Sequence, residues 1–138
     1  MTELTGHCLC GRVSWSSEGP VTRHLVCHCE DCRRATSSPF TAFVGLAPES
    51  VAWTGDVNHF ESSRGTQRGF CRNCGTRLYF RSEKWPGEIH VHAATLDEGL
   101  DYRPTAQVVL RSRASWLDDL DALPGCQDFD APPGDAGS

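Results

Sequence analysis

The sequence comprises 138 residues, with 13 Lys+Arg, 18 Asp+Glu and a net charge of −5. A chain of this length suits one domain burying roughly two-thirds of its unfolded surface, and no apolar run approaches the roughly 18 residues of a membrane-spanning helix. The charge is uneven: residues 114–138 hold six Asp and no Lys or Arg, while residues 1–113 carry 13 basic and 12 acidic side chains, a nearly neutral body without the basic stripe that nucleic acid requires.

The N-terminal segment M-T-E-L-T-G-H-C-L-C-G has neither the basic nor the apolar region of a signal peptide, so a cytoplasmic location is expected. It carries the first cysteine pair, Cys8 and Cys10. Residues 12–17 alternate and predict a strand, closed by the turn signal E-G-P. A second strand over 22–27 runs into the cluster Cys27, Cys29 and Cys32. A short helix is expected over 31–36, carrying Arg33 and Arg34. Strands follow at 40–46, 50–54, 57–62 and 66–70, rich in β-branched and aromatic residues. The third cluster, Cys71 and Cys74, precedes Gly75 and a strand at 77–82. W-P-G marks a turn, then 88–92 and 106–110 predict strands, with a second short helix over 97–100. The fold class is mainly β with one or two short helices. Residues 1–125 read as a single domain that holds all three cysteine clusters. Residues 126–138 form an acidic tail, and 127–138, rich in Pro, Gly, Asp, Ala and Ser, are expected to be disordered.

Eight cysteines invite a disulfide reading. Against it stand the missing secretory signal and the awkward geometry of bridging residues one or two apart. Paired clusters far apart in sequence are instead how structural zinc sites are assembled. Such a site takes four protein ligands, and Cys8, Cys10, Cys71 and Cys74 supply that number. Gly11 and Gly75 follow the two pairs and suit a left-handed turn that aims backbone N–H groups at sulfur.

Cys27, Cys29 and Cys32 offer three thiolates and no fourth cysteine. Three protein ligands plus an exchangeable position is the pattern of a catalytic zinc. Cys29 and Cys32 fall one turn apart at the start of the expected helix, and Cys27 ends a strand. Two alternatives remain open: His28 or a distant His closes the site and makes it structural, or the trio is a metal-free redox group. Cys126 reads as a bystander. His90 and His92 share one face of a strand and could touch a metal or substrate together. Trp53 and Trp116 read as packing residues. Arg33 and Arg34 follow the open cluster and could meet an acidic substrate there.

Together, G-x-C-x-C-G at 6–11, C-H-C-x-x-C-R-R at 27–34, P-F at 39–40, R-x-F-C-x-x-C-G-T at 68–76 and a Trp-containing stretch near 116 resemble the glutathione-dependent formaldehyde-activating enzyme family, which includes centromere protein V. The likeness runs from about residue 6 to 124. It implies a zinc-clasped β-tent of packed antiparallel sheets. It also implies a carbon–sulfur lyase that forms S-hydroxymethylglutathione from formaldehyde and glutathione. Carried onto this chain, it makes Cys8, Cys10, Cys71 and Cys74 the structural zinc ligands and Cys27, Cys29 and Cys32 the catalytic ones, with two zinc ions per chain.

The leading expectation is therefore a zinc enzyme acting on a small thiol such as glutathione, with Arg33 or Arg34 on a substrate carboxylate. A zinc-stabilised protein-binding module without chemistry is the alternative from another class.

Overall fold

Short runs of β-branched and aromatic residues, broken by Gly, Pro and Asn, leave little room for helix, and strands dominate. The computed structural model describes residues 3–129. In chain order these form β1 (Leu4–His7), β2 (Ser14–Ser17), β3 (Arg23–Cys27), α1 (Glu30–Thr36), β4 (Thr41–Leu46), β5 (Val51–Thr54), β6 (Val57–Ser63), β7 (Thr66–Cys71), β8 (Arg77–Ser82), β9 (Ile89–His92) and β10 (Ala106–Val108). A three-stranded sheet has the order β1-β2-β5, and a seven-stranded sheet the order β10-β3-β4-β9-β8-β7-β6. All neighbours pair antiparallel except β10, which lies parallel to β3 with Val108 opposite Cys27.

The main core lies between the sheets. Trp15, Val44, Leu46, Val51, Ile89 and Val91 are buried together there, each large aliphatic side chain contributing about 1.5–3 kcal/mol. Trp15 donates its indole N–H to Thr95 Oγ1 at 2.9 Å, which satisfies the one polar atom the ring carries inside. Trp53 packs beside it, 6.4 Å between ring centroids.

Three elements depart from the sequence expectation. Strand β1 lay hidden in the N-terminal cysteine motif. Its Gly6 is required, because a methyl there would lie 2.3 Å from Trp15 Nε1 and 2.5 Å from the Thr95 carbonyl. Residues 97–100 are a turn and not a helix. Asp97 N–H donates to Thr5 O at 2.9 Å, its carboxylate pairs with His7, and Gly99 sits at φ 88°, so long-range contacts draw the segment out of helical backbone. Finally, β10 stops at Val108 because Val109 is left-handed at φ 60°; Leu110–Ser112 and Ser115–Ala122 then wind as 3-10 turns. Of the expected disordered tail, residues 130–138 lie outside the described residues. No helix among the described residues is long and apolar enough to cross a membrane.

Candidate metal centres

The first cysteine group is made by two turns of the same design. Cys8 N–H donates to Val13 O and Cys71 N–H to Thr76 O, each closing a tight loop of six residues. Within each loop a glycine is left-handed, Gly11 at φ 79° and Gly75 at φ 80°, as the sequence led us to expect. These loops point backbone N–H groups at sulfur: Val13 N–H lies 3.3 Å from Cys8 Sγ and Cys74 N–H 3.4 Å from Cys71 Sγ. The four sulfurs of Cys8, Cys10, Cys71 and Cys74 lie within 4.8 Å of one another. Cys8 to Cys10 measures 3.6 Å and Cys10 to Cys71 3.8 Å. A tetrahedron of thiolates about 2.3 Å from a central zinc has edges of about 3.8 Å, so the donor set fits that ion in both chemistry and size. Local hydrogen bonds favour the thiolate form at two of the four: the Thr76 hydroxyl, then backbone N–H groups, hold Cys74 down to about 5, and the Asn73 side chain lowers Cys10, whereas Cys71 is raised.

The second group sits where β3 ends and α1 begins. Cys27 is the last residue of β3, Cys29 is the N-cap of α1, and Cys32 lies in its first turn. Cys29 Sγ accepts the Cys32 N–H at 3.2 Å, taking the place of the Ser or Asp oxygen that usually caps a helix. The three sulfurs also lie within 4.8 Å of one another. Leu25 and Phe43 pack beside them, with Phe80 and Val109 at the edge. Protonation is unequal. The hydrogen bond from Cys27, and then that from Arg68, bring Cys32 down to about 5 despite burial. The same contact with Cys32, together with burial, raises Cys27, and burial raises Cys29.

Arg68 is the feature that sequence reasoning missed. It is buried, donates to Cys32 Sγ at 3.6 Å and to Ser62 Oγ at 3.1 Å, and lies 5.0 Å over the Phe80 ring. A buried guanidinium needs an anionic partner, and a thiolate group supplies one. The available signal was position: Arg68 points to the same side of β7 as buried Thr66, where a charge is unexpected.

The trio opens on a cavity of about 360 Å³, with a largely apolar wall that includes Phe80, Trp85 and Val108. Arg23, Arg68, Lys84 and His90 also line it. Its size is within the usual range for small-molecule sites. Arg33 and Arg34 are not at this cavity. They line a separate depression with Ser38, Ser112 and Trp116; Arg33 donates to Ser112 O at 2.8 Å and Arg34 pairs with Glu30. They follow Cys32 directly in α1, and residues one or two apart in a helix do not share a face.

His28 does not join the trio. Its Nε2 is 2.8 Å from Gln107 Oε1, and its ring packs on Phe40. Alternation along the strand separates it from Cys27. His90 and His92 flank Phe43, with ring centroids at 5.7 and 4.7 Å, but only His90 lines the cavity. Burial first, then the charges of Arg68 and Arg77, hold His92 down to about 4. It is therefore neutral in the fold, whereas in the unfolded chain it titrates near 6.5. Its folded pKa is depressed, so its stabilising contribution is complete above 6.5 and is lost as pH falls toward 4. His92→Phe is expected to lose about 2 kcal/mol less stability than the native chain between pH 7 and pH 5. Urea midpoints of both proteins at the two pH values check this, and equal losses would refute it.

Comparison with known proteins bears on these two groups. A family model described as glutathione-dependent formaldehyde-activating enzyme matches residues 3–112. An uncharacterized lyase of Schizosaccharomyces pombe is 41% identical over 80 residues, covering 58% of each chain. A putative glutathione-dependent formaldehyde-activating enzyme of Halomonas elongata is 23% identical across 83% of this chain and 80% of its own. One of Aspergillus flavus is 31% identical across 67% of this chain, which spans only 52% of that relative. This chain thus covers little more than half the length of the yeast and Aspergillus relatives. A crystal structure of a Rhodobacter sphaeroides protein superposes with a TM-score of 0.61 over 75% of this chain and 99% of its own, at 22% identity, and shares the fold.

Proposed function

The chain belongs to the glutathione-dependent formaldehyde-activating enzyme family, and from that premise we propose that it is a zinc-dependent carbon–sulfur lyase joining a small thiol to an aldehyde, as in forming S-hydroxymethylglutathione from glutathione and formaldehyde. One observation carries the reading: three cysteine sulfurs converge at the wall of a cavity, and among the described residues no fourth metal-binding side chain joins them. Three protein ligands and an open position are what a catalytic zinc requires, whereas the four-sulfur group is closed.

In this reading Cys27, Cys29 and Cys32 hold one zinc and Cys8, Cys10, Cys71 and Cys74 the other, two per chain, within a single unit formed by residues 1–125. A zinc ion at the trio would supply Lewis acidity and stabilise a substrate thiol as thiolate. The chain's own residues do the rest. Arg68 offsets the negative charge of the thiolates. Phe80, Trp85 and Val108 keep bulk water from the reacting sulfur, which strengthens each charge interaction inside. Lys84, on the cavity lining, takes the substrate-carboxylate role that the sequence suggested for Arg33 or Arg34. The thiol sulfur and aldehyde carbon form the new bond, and the thiol proton ends on the former carbonyl oxygen.

The test is metal content combined with adduct formation. Two zinc ions per chain are expected, one removed by mild chelation with the fold retained and the conversion of glutathione and formaldehyde abolished. One zinc per chain, or unchanged conversion after its removal, would overturn the proposal and leave a binding module without chemistry.

A further inference from the structure

Besides the cysteines, the titratable groups lining the cavity are Arg23 from β3, Asp31 from α1, Arg68 from β7, Lys84, and His90 from β9; Glu88 stands behind the lining, bonded to Arg23 and His90. Arg68 and Lys84 already have an assignment. His90 does not, and its surroundings are those of a held acid–base group. It is 4% exposed. Phe43, Phe80 and Trp85 surround its ring at centroid distances of 5.7, 5.7 and 5.8 Å, so it has one orientation. Its Nε2 lies 3.1 Å from Glu88 Oε1. Glu88 is fixed in turn by a two-pronged bond from Arg23, at 2.8 and 2.9 Å.

The network decides the tautomer. Burial is the largest single influence and opposes ionisation of Glu88, but the bonds and charges of Arg23 and His90 together outweigh it and lower the pKa, so Glu88 is a carboxylate and can only accept. The proton on the hydrogen-bonded nitrogen therefore belongs to Nε2, which leaves a lone pair on Nδ1 of the neutral ring. No hydrogen bond occupies Nδ1. Among the described residues the one buried nitrogen without a partner is His28 Nδ1, so His90 Nδ1 opens on the cavity that the residue lines.

We infer that His90 is the proton carrier of the reaction, oriented by Glu88 and, through it, by Arg23. Nδ1 accepts the proton as the thiol becomes thiolate and, as the sulfur–carbon bond forms, gives it to the oxygen of the breaking carbonyl π bond. The ring ends as it began, and no oxidant or further reactant enters. In the reverse direction Nδ1 takes the hydroxyl proton and returns it to the departing sulfur. This rests on the lyase reading given above.

The test uses the zinc-loaded full chain. Nitrogen-15 histidine spectra at pH 7 are expected to show His90 as the neutral Nε2–H tautomer. His90→Gln is expected to keep both zinc ions and its KM while kcat falls about 10²–10⁴-fold. A neutral Nδ1–H ring, a cationic ring at pH 7, or a variant with native kcat would overturn the inference and leave the lyase reading standing. A native chain that forms no thiol adduct overturns both, even with the expected tautomer.

Discussion

Cys71→Ser is expected to leave the chain without a cooperative fold at 25 °C. Cys71 is 1% exposed and packs with Cys8, Val13 and Leu78 in a small cluster, so its sulfur is a core atom as well as the metal ligand we propose. It lies 61 residues from Cys10 in sequence yet 3.8 Å from it in space. The four sulfurs therefore join the turn between β1 and β2 of the smaller sheet to the end of β7 in the larger one. Structural zinc sites supply about 10–16 kcal/mol at neutral pH, whereas a domain of this size has only about 5–15 kcal/mol of net stability. Losing one of four ligands thus removes an amount comparable to the whole. Serine adds a buried hydroxyl in place of a thiolate and compounds the loss. Near-ultraviolet circular dichroism and urea titration check this. A sharp transition with native near-ultraviolet signal would show that the metal is an accessory.

Cys29→Ser should act in the opposite way, abolishing turnover in a folded protein. The side chain is half-buried and caps α1 by accepting the Cys32 N–H. A serine hydroxyl performs that capping task well, so the helix keeps its start. As a zinc ligand, by contrast, the alcohol is poor because it does not ionise at neutral pH. Metal activation in such sites is worth several kcal/mol, so kcat should fall by about 10³-fold or more, with one zinc equivalent lost and a nearly unchanged melting temperature. If activity stays within tenfold of native, or if the fold collapses, the division between a chemical and a structural centre is wrong.

Much of this architecture was legible before any coordinates. Gly11 and Gly75 pointed to left-handed turns because no other residue adopts that backbone freely, and both turns are present. Nine of the strands lie close to their expected places, since β-branched alternation and Gly/Pro punctuation are local signals. The helix start was readable from E-D-C-R-R-A, although that its cap is the Cys29 sulfur was not. The misses have a common cause. Strand β1 depends on Gly6 fitting against Trp15, residues 97–100 are pulled into a turn by Thr5 and His7, and β10 joins β3 in parallel after a long excursion. Each is decided by a residue far away in the chain, which periodicity cannot see.

The same division runs through the site. By itself the sequence determined that seven cysteines fall into groups of four and three, because ligand number and spacing are properties of short segments. Tertiary structure alone decided what surrounds the group of three. It placed Arg68 from β7 against Cys32 and brought Arg23 and His90 from two strands to the same cavity with Glu88 bonded to both, while the adjacent Arg33 and Arg34 went elsewhere. Metal ligation is written in local spacing, but the charge and proton chemistry around a metal come from side chains that only sheet register brings together.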